Sequence, residues 1–395
     1  MPEGRRNHPP PTRPELDALK ILVGGMLGMV VAMGIGRFAF TPILPLMQRD
    51  LAMSNTMAGW LAGLNYLGYL AGAVGCSLRP GLLRSRSVTG GALALSIAST
   101  LLMGMSVSPL WWGLLRLVGG TASAVLFIVI SAEVTESLAR RGYAQWIGAL
   151  YGGIGAGIAL SGIIVPQLDR LGGWHASWVG MGLLAALCAA AGIGLGRQRS
   201  LVQAVTIDSS TKSGSLQSIW PLAVAYFFEG LGYIVTATFI VAIIAVTPGL
   251  EAFSPYTWVA TGLAALPSTV FWPQLARRIG TRSALLCAFT LQAGGILVSI
   301  GADSVAAVLF AAVSFGGTFL GIVALTLAEG NRRAFNDGRR ATAILTVCFS
   351  LGQILGPILA GILADRGDGF TLPLVLAAAC VFAGCLFVVF DRNYR

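Results

Sequence analysis

Residues 34–45 read Gly34-Ile35-Gly36-Arg37-Phe38-Ala39-Phe40-Thr41-Pro42-Ile43-Leu44-Pro45, a charge and four helix-weakening residues inside an apolar run. From residue 19 to residue 47 the only other ionisable group is Lys20, at the very start. Arg37 therefore sits near the middle of a segment long enough to cross a bilayer. A guanidinium at that depth costs about 2.5–3.5 kcal/mol even on a lenient insertion scale, and is normally kept where it faces a cavity or a partner. Gly34 and Gly36 loosen the helix before the charge. Pro42 and Pro45 remove backbone donors after it and are expected to free the carbonyls of Phe38 and Thr41, which is tolerable at membrane depth where backbone lines a cavity or packs on protein. The reading is a solute-binding helix with its hinge at Gly34, Gly36, Pro42 and Pro45.

Composition fixes the class. The chain has 395 residues, 55% hydrophobic and 11% charged, with mean hydropathy +0.78, which excludes a soluble or disordered protein. The net charge of +10 would suggest nucleic acid in a soluble chain, but the placement of the basic residues gives another account. The six cysteines (Cys76, Cys188, Cys287, Cys348, Cys380, Cys385) lie in apolar runs without CxxC spacing, and of the two histidines His8 is in the tail and His175 at a loop edge. Nothing there suggests a metal, another cofactor or a disulfide. The polar, Pro-rich residues 1–18 precede an apolar run too long for a signal peptide and without an A-x-A site.

Apolar stretches of about 20 residues, the length that crosses roughly 30 Å of hydrocarbon, number twelve. They are 19–47, 54–78, 88–107, 109–133, 144–166 and 174–196, then 219–246, 255–275, 283–301, 305–328, 341–364 and 370–390. Lys and Arg fall almost wholly on one side. Twenty-one lie in the tails and the even-numbered loops, three (Arg49, Arg170, Arg366) in the odd loops, and two, Arg37 and Arg116, inside spans. Because cytoplasmic loops retain positive charge, both termini are expected in the cytoplasm, in a cytoplasmic (inner) membrane. The basicity then reflects membrane orientation, and no nucleic-acid partner is implied.

The polar stretch 197–218 divides six spans from six, giving a tail (1–18), a first bundle (19–196), a cytoplasmic linker, a second bundle (219–390) and a short tail (391–395). A duplicated chain should repeat its signatures at a fixed offset. Gly34-Ile35-Gly36 answers to Gly230-Leu231-Gly232 at 196, Gly119-Gly120-Thr121 to Gly316-Gly317-Thr318 at 197, and Glu133 to Glu329 at 196. The expected fold is all-α, two six-helix pseudo-symmetric bundles.

Twelve spans as six plus six, with cytoplasmic termini and a central linker, resemble the major facilitator superfamily over the whole chain after the tail. The segment GIGRFAFTPILPLM further resembles the YbfB/YjiJ-type branch. The superfamily loop motif G-x-L-A-D-R-x-G-R-R is matched after span eight by Pro273-Gln274-Leu275-Ala276-Arg277-Arg278-Ile279-Gly280-Thr281-Arg282, with Arg277 in the acidic place. A closer string, Gly361-Ile362-Leu363-Ala364-Asp365-Arg366, follows span eleven on the expected outer face and reads as a helix end, not a gate. The span-four motif R-x-x-x-G is matched by Arg116 and Gly120. The antiporter motif G-x-x-x-G-P is incomplete on span five, at Gly153 and Gly157, and complete on span eleven, at Gly352 and Gly356-Pro357.

Glu229, about ten residues into span seven, is the second sharp feature. Its protonation can respond to desolvation and to a nearby arginine, which is what proton coupling requires; a fixed ion pair with Arg37 or Arg116 is the bland alternative. Two arginines against one midplane acid leave surplus positive charge, which favours an anionic solute held bidentately. Substrate contact is assigned to Arg37, Arg116, Tyr233, Asn65 and Gln353, and gating to Glu133, Glu329, Arg277 and Arg278, the two glutamates being expected to pair with arginines such as Arg140 and Arg332. Trp111, Trp112 and Trp174 read as interfacial anchors. The expectation is a monomeric, proton-coupled secondary transporter, symporter or antiporter, that moves a small organic anion by alternating access and is not an enzyme. A drug or metabolite efflux pump of the same fold, and a solute receptor that does not transport, are the alternatives.

Overall fold

The computed structural model describes residues 13–79, 81, 85–195, 216–334, 338–367 and 369–394, which are helical with no strand. Most of the expected N-terminal tail and of the linker, with Arg5, Arg6, Arg197, Arg199 and Lys212, lies outside the described residues, and Arg13 begins the first helix. Ten helical runs are long and apolar enough to cross a membrane. One of these, Ala144–Leu195, has 52 residues and turns back at Gly172 and Gly173, where the backbone leaves the helical region and Gly173 takes φ +65°. Another helix, Ser254–Ile279, carries Pro267 and Pro273 inside it and packs among the ten. Each of the twelve expected spans thus falls on helix.

Span one is Arg13–Leu51, span two Asn55–Leu78, span three Arg86–Met103 and span four Pro109–Arg140. Spans five and six share Gly152–Leu195 on either side of its break. Spans seven to twelve are Trp220–Ala245, Ser254–Ile279, Thr281–Ser299, Val305–Ala334, Gly338–Arg366 and Thr371–Phe390. Spans four and ten outrun their apolar stretches, so Glu133 and Glu329 lie inside helices and not at their ends. The reason is local: after Glu133 the residues Ser137-Leu138-Ala139-Arg140 sustain a helix, and no breaker appears before Gly142 at φ +82°.

Helices in lipid associate by close packing, so their crossings are marked by small residues. Gly34 of span one meets Gly157 of span five so closely that a methyl group on Gly34 would lie 2.5 Å from the Gly157 Cα. Span seven meets span eleven in the same way, with a methyl on Gly352 falling 2.6 Å from the Leu231 nitrogen. Spans two and four cross where Gly120 abuts the Asn65 carbonyl. Spans eight and ten cross where Gly316 abuts the Thr261 carbonyl. Both partners of that second crossing stand 196 positions after those of the first, so in the packing Gly316 answers to Gly120 and not to Gly119, and the offset of 197 read from the glycine signatures is corrected to the 196 of the other matches.

The first six spans meet the last six along two seams. Spans five and eight pack closely at Gly155 against Gly262, with Trp258 donating to the Ser161 hydroxyl at 3.1 Å and Thr269 donating to the Gly148 carbonyl at 2.8 Å. Spans two and eleven pack at Gly59 against Pro357 and at Gly361 against Asn55. At the end of that seam the Asp365 carboxylate accepts from the backbone N–H groups of Asn55 (3.0 Å) and Thr56 (2.7 Å), the exposed first turn of span two. A carboxylate there satisfies orphan donors and complements the helix dipole. Asp365, read above as a helix end, therefore bridges the two sets of spans, because its partner is the backbone of a distant helix. Near the middle, the Thr41 hydroxyl donates to the Ala237 carbonyl at 2.6 Å, joining spans one and seven at repeat-related positions.

Trp112 and Trp174 are corrected from interfacial anchors to packing residues. Trp112 is 3% and Trp174 2% exposed, and their rings meet edge to face at 5.7 Å where the spans three–four and five–six turns converge. Trp112 also donates to the Met103 carbonyl.

Candidate functional site

Arg37 lies at a break in span one. The helix Arg13–Met29 gives way to a π-helical turn, Val30–Ile35, then to a turn over residues 36–39, and α-helix resumes at Phe40. Gly36 and Phe38 donate to carbonyls five residues back, those of Val31 (3.0 Å) and Met33 (3.1 Å). The Phe38 carbonyl, expected to be freed by Pro42, accepts from the Thr41 N–H at 3.2 Å, so the tighter turn re-satisfies it. π-Turns inside α-helices concentrate at functional positions, and broken membrane helices at solute sites.

The guanidinium of Arg37 is buried, at 4% exposure, and its Nε and Nη2 have no hydrogen-bond partner among the described residues. Aromatic rings surround it: its carbon lies 4.4 Å from the Tyr66 ring centre, 4.7 Å from Tyr69 and 5.5 Å from Phe38. Such contacts offset part of the cost of burying the charge while leaving in-plane N–H donors for an acceptor.

Glu229 is 1% exposed on span seven. Its Oε1 accepts from Gln292 Nε2 at 2.6 Å, and Gln292 Oε1 in turn accepts from the Thr318 hydroxyl at 2.7 Å. Its Oε2 has no partner among the described residues. Neither Arg37 nor Arg116 forms an ion pair with it there, so the fixed pair weighed above is absent from this conformation. Gln292 stood out in the sequence only as a polar residue in an apolar span; Thr318 was visible only as part of the glycine signature.

Arg116 and Asn65 serve the span two–four crossing. Arg116 Nε donates to the Leu61 carbonyl at 3.3 Å and its guanidinium sits 4.7 Å from the Phe40 ring centre. Asn65 Nδ2 donates to the Arg116 carbonyl at 2.9 Å. Thr261 donates to the Ala312 carbonyl at 3.4 Å, the same bond at the repeat-related place. Tyr233 and Gln353 are both buried and bonded to each other, Gln353 Nε2 to the Tyr233 hydroxyl. Tyr233 occupies the place of Arg37 in the second set of spans, and the Arg37 charge lies within electrostatic reach of its hydroxyl.

Of the residues assigned to gating, Glu329 pairs with Arg332 (2.6 Å) and Arg333 (2.7 Å), and Arg333 reaches on to Asp391 at 2.6 Å. Arg140 pairs with Glu136 at 3.2 Å. Arg277 and Arg278 are exposed in the last turn of span eight. A separate cleft of about 690 Å³ opens at the Asp365 end, between Pro42, Pro45 and Arg49 on one side and Val241 and Glu251 on the other.

Residues 29–389 match the family described as "Uncharacterised MFS-type transporter YbfB". The chain belongs to that family. The YbfB-type chain is 27% identical over 371 residues to "Uncharacterized transporter YycB" of Bacillus subtilis (strain 168), across 86% of this chain and 85% of that one. Its fold is similar to the crystal structure of a point mutant of the nucleoside transporter NupG, with TM-score 0.74, 11% identity and 95% and 100% of the two chains covered. It is likewise similar to a bacterial homologue of the human lysosomal transporter Spinster, in an inward-facing and occupied conformation, with TM-score 0.69, 12% identity and 96% of both chains covered. The protein is a multi-pass membrane transporter of the major facilitator type, not an enzyme.

Proposed function

We propose that this transporter carries a small organic anion by alternating access, with Arg37 holding the anion and Glu229 carrying a coupled proton. The observation that carries the reading is the buried Arg37 guanidinium, which lacks a carboxylate partner among the described residues and leaves Nε and Nη2 unbonded. A charge so placed is expensive, and a solute carboxylate is a counter-ion that can arrive and leave. Glu229 supports the second half. A carboxyl group buried without a cation, one oxygen bonded to Gln292 and the other bare, is completed by a proton, and it lies on the other set of spans from the anion site. The excess of arginine on the face opposite Asp365 supports placing that face in the cytoplasm. With Asp365 bonded across the halves, the reading has spans two and eleven joined on the outer side, next to the cleft between spans one and seven.

Flux into proteoliposomes under an imposed pH gradient tests it. Glu229→Gln is expected to keep solute exchange and lose uphill accumulation; accumulation that persists in that variant removes Glu229 from coupling. Arg37→Ala is expected to abolish anion exchange, and a variant that exchanges anions at the wild-type affinity removes the anion reading.

A further inference from the structure

The chemistry around Arg37 narrows the class of anion. Nε and Nη2, the two nitrogens left without partners, share one edge of the guanidinium, the edge that grips a carboxylate side-on with two parallel hydrogen bonds. Phosphates and sulfonates also fit a guanidinium, but they carry a third oxygen that needs its own donor. Among the described residues no other cation stands at this edge: Arg116 is turned to the Leu61 carbonyl and the Phe40 ring. One fork without a second cation beside it suits a single carboxylate.

Beyond the fork the surroundings are aromatic. Phe38, 5.5 Å from the guanidinium carbon, meets Phe319 of span ten edge to face at 6.1 Å. Phe319 stacks on Tyr233 at 6.0 Å and 10°, and Tyr233 stacks on Phe349 of span eleven at 5.4 Å and 7°. Four rings from four helices thus form a surface that runs from the cation in the first six spans into the last six. Three of them lie close to parallel, and the stack goes on through Phe315, 5.2 Å from Phe319 and 6.1 Å from Tyr233, and through Tyr226, 4.1 Å from Phe349, so a flat solute ring can exchange one ring-on-ring contact here for its own by offset stacking. The hydroxyl of Tyr233 accepts from Gln353 and keeps one O–H donor, a single polar group on an otherwise apolar set of rings, so the surface offers little to a polyhydroxylated solute.

We infer that the solute is a planar aromatic monocarboxylate, its carboxylate on the Nε–Nη2 edge of Arg37 and its ring against Phe38, Phe319 and Tyr233. This rests on the anion-transport reading above and adds the shape and polarity of the rest of the molecule.

The test uses purified full-length protein in proteoliposomes with labelled benzoate. Competitors are cyclohexanecarboxylate, which has the same charge and near-equal size but is not flat, acetate, and benzamide, which is flat but uncharged. Benzoate is expected to half-saturate transport at a concentration about ten-fold below cyclohexanecarboxylate, as two stacking contacts would give. Benzamide is expected not to compete. Phe319→Leu is expected to reduce the preference for benzoate over cyclohexanecarboxylate to about two-fold. If Phe319→Leu does not fold, the wild-type competition series decides alone. Equal affinity for benzoate and cyclohexanecarboxylate, with both lost in Arg37→Ala, overturns the aromatic class and leaves the anion reading standing. Transport of none of these carboxylates, together with an uncharged solute carried equally by wild type and Arg37→Ala, overturns both.

Discussion

Asn65 and Thr261 stand 196 positions apart and make the same bond, each donating to the carbonyl of the residue four before the glycine that packs against it: Asn65 to Arg116 and Thr261 to Ala312. The two side chains differ, and the crossing they support is the same. Asn65 thereby supports the crossing through Nδ2, while its Oδ1 has no partner among the described residues. Asn65→Leu is expected to lower stability by about 1–3 kcal/mol, the cost of leaving a buried acceptor unpaired. Thermal unfolding in detergent measures this, with solute affinity in the surviving fraction unchanged; a selective loss of affinity at full stability would return Asn65 to the binding site.

The Asp365 carboxylate holds the first turn of span two from span eleven. Asp365→Ala removes a cap and a charge–dipole contact, together worth about 1–2 kcal/mol, and shifts the outward-to-inward population by about ten-fold. A single cysteine placed at Asn55 and titrated with an impermeant thiol reagent should react faster in the Asp365→Ala background. Asp365→Asn, which retains an acceptor, should fall between. Equal reactivity in all three would mean that the contact does not hold the face closed.

Gly34 and Gly157 touch across spans one and five with no room for a methyl. Gly34→Ala must push backbone from backbone, so a loss of about 3 kcal/mol or more is expected, beyond the usual range for overpacking against mobile side chains. Gly294, with nothing within 4 Å of an added Cβ, supplies the control, and Gly294→Ala should unfold at the wild-type temperature.

Gln292 is the donor that orients Glu229 and is itself anchored by Thr318. Gln292→Leu leaves the carboxyl group without that bond while keeping a similar volume. Accumulation under a proton gradient is expected to fall by about ten-fold or more, and the pH at half-maximal transport to move, whereas exchange without a gradient persists. An unchanged pH profile would reduce Gln292 to packing.

Much of this was readable from residue types because lipid makes deviations expensive. Arg37 stood out against an apolar run, the spans showed in hydropathy, and the repeat showed in glycines, of which Gly34, Gly120, Gly230 and Gly316 sit against the backbone of a crossing helix. What stayed hidden depended on partners far away in the chain. Gln292 is a neutral residue whose meaning comes from the carboxylate 63 positions earlier. Asp365 binds backbone N–H groups, which no residue type advertises. Asn65 and Gln353 look alike in the sequence as polar residues in spans, and only their partners separate them, a backbone carbonyl for Asn65 and the Tyr233 hydroxyl for Gln353. The tryptophans misled for a related reason: an indole at a turn reads the same whether it faces lipid or, like Trp112 and Trp174, another indole.

The π-turn at Val30–Ile35 holds one residue more than the α-helical path needs. The surplus residue is taken up within the turn, so deleting it closes the bulge to regular α-helix while the segments on either side keep their facing. What such a deletion removes is the wider turn itself, with the donations of Gly36 and Phe38 to carbonyls five residues back. The break before Arg37 thus depends on a count of backbone residues, and a one-residue deletion at Val30–Ile35 is expected to leave Arg37 facing Tyr66 and Tyr69 and to weaken anion exchange less than Arg37→Ala does.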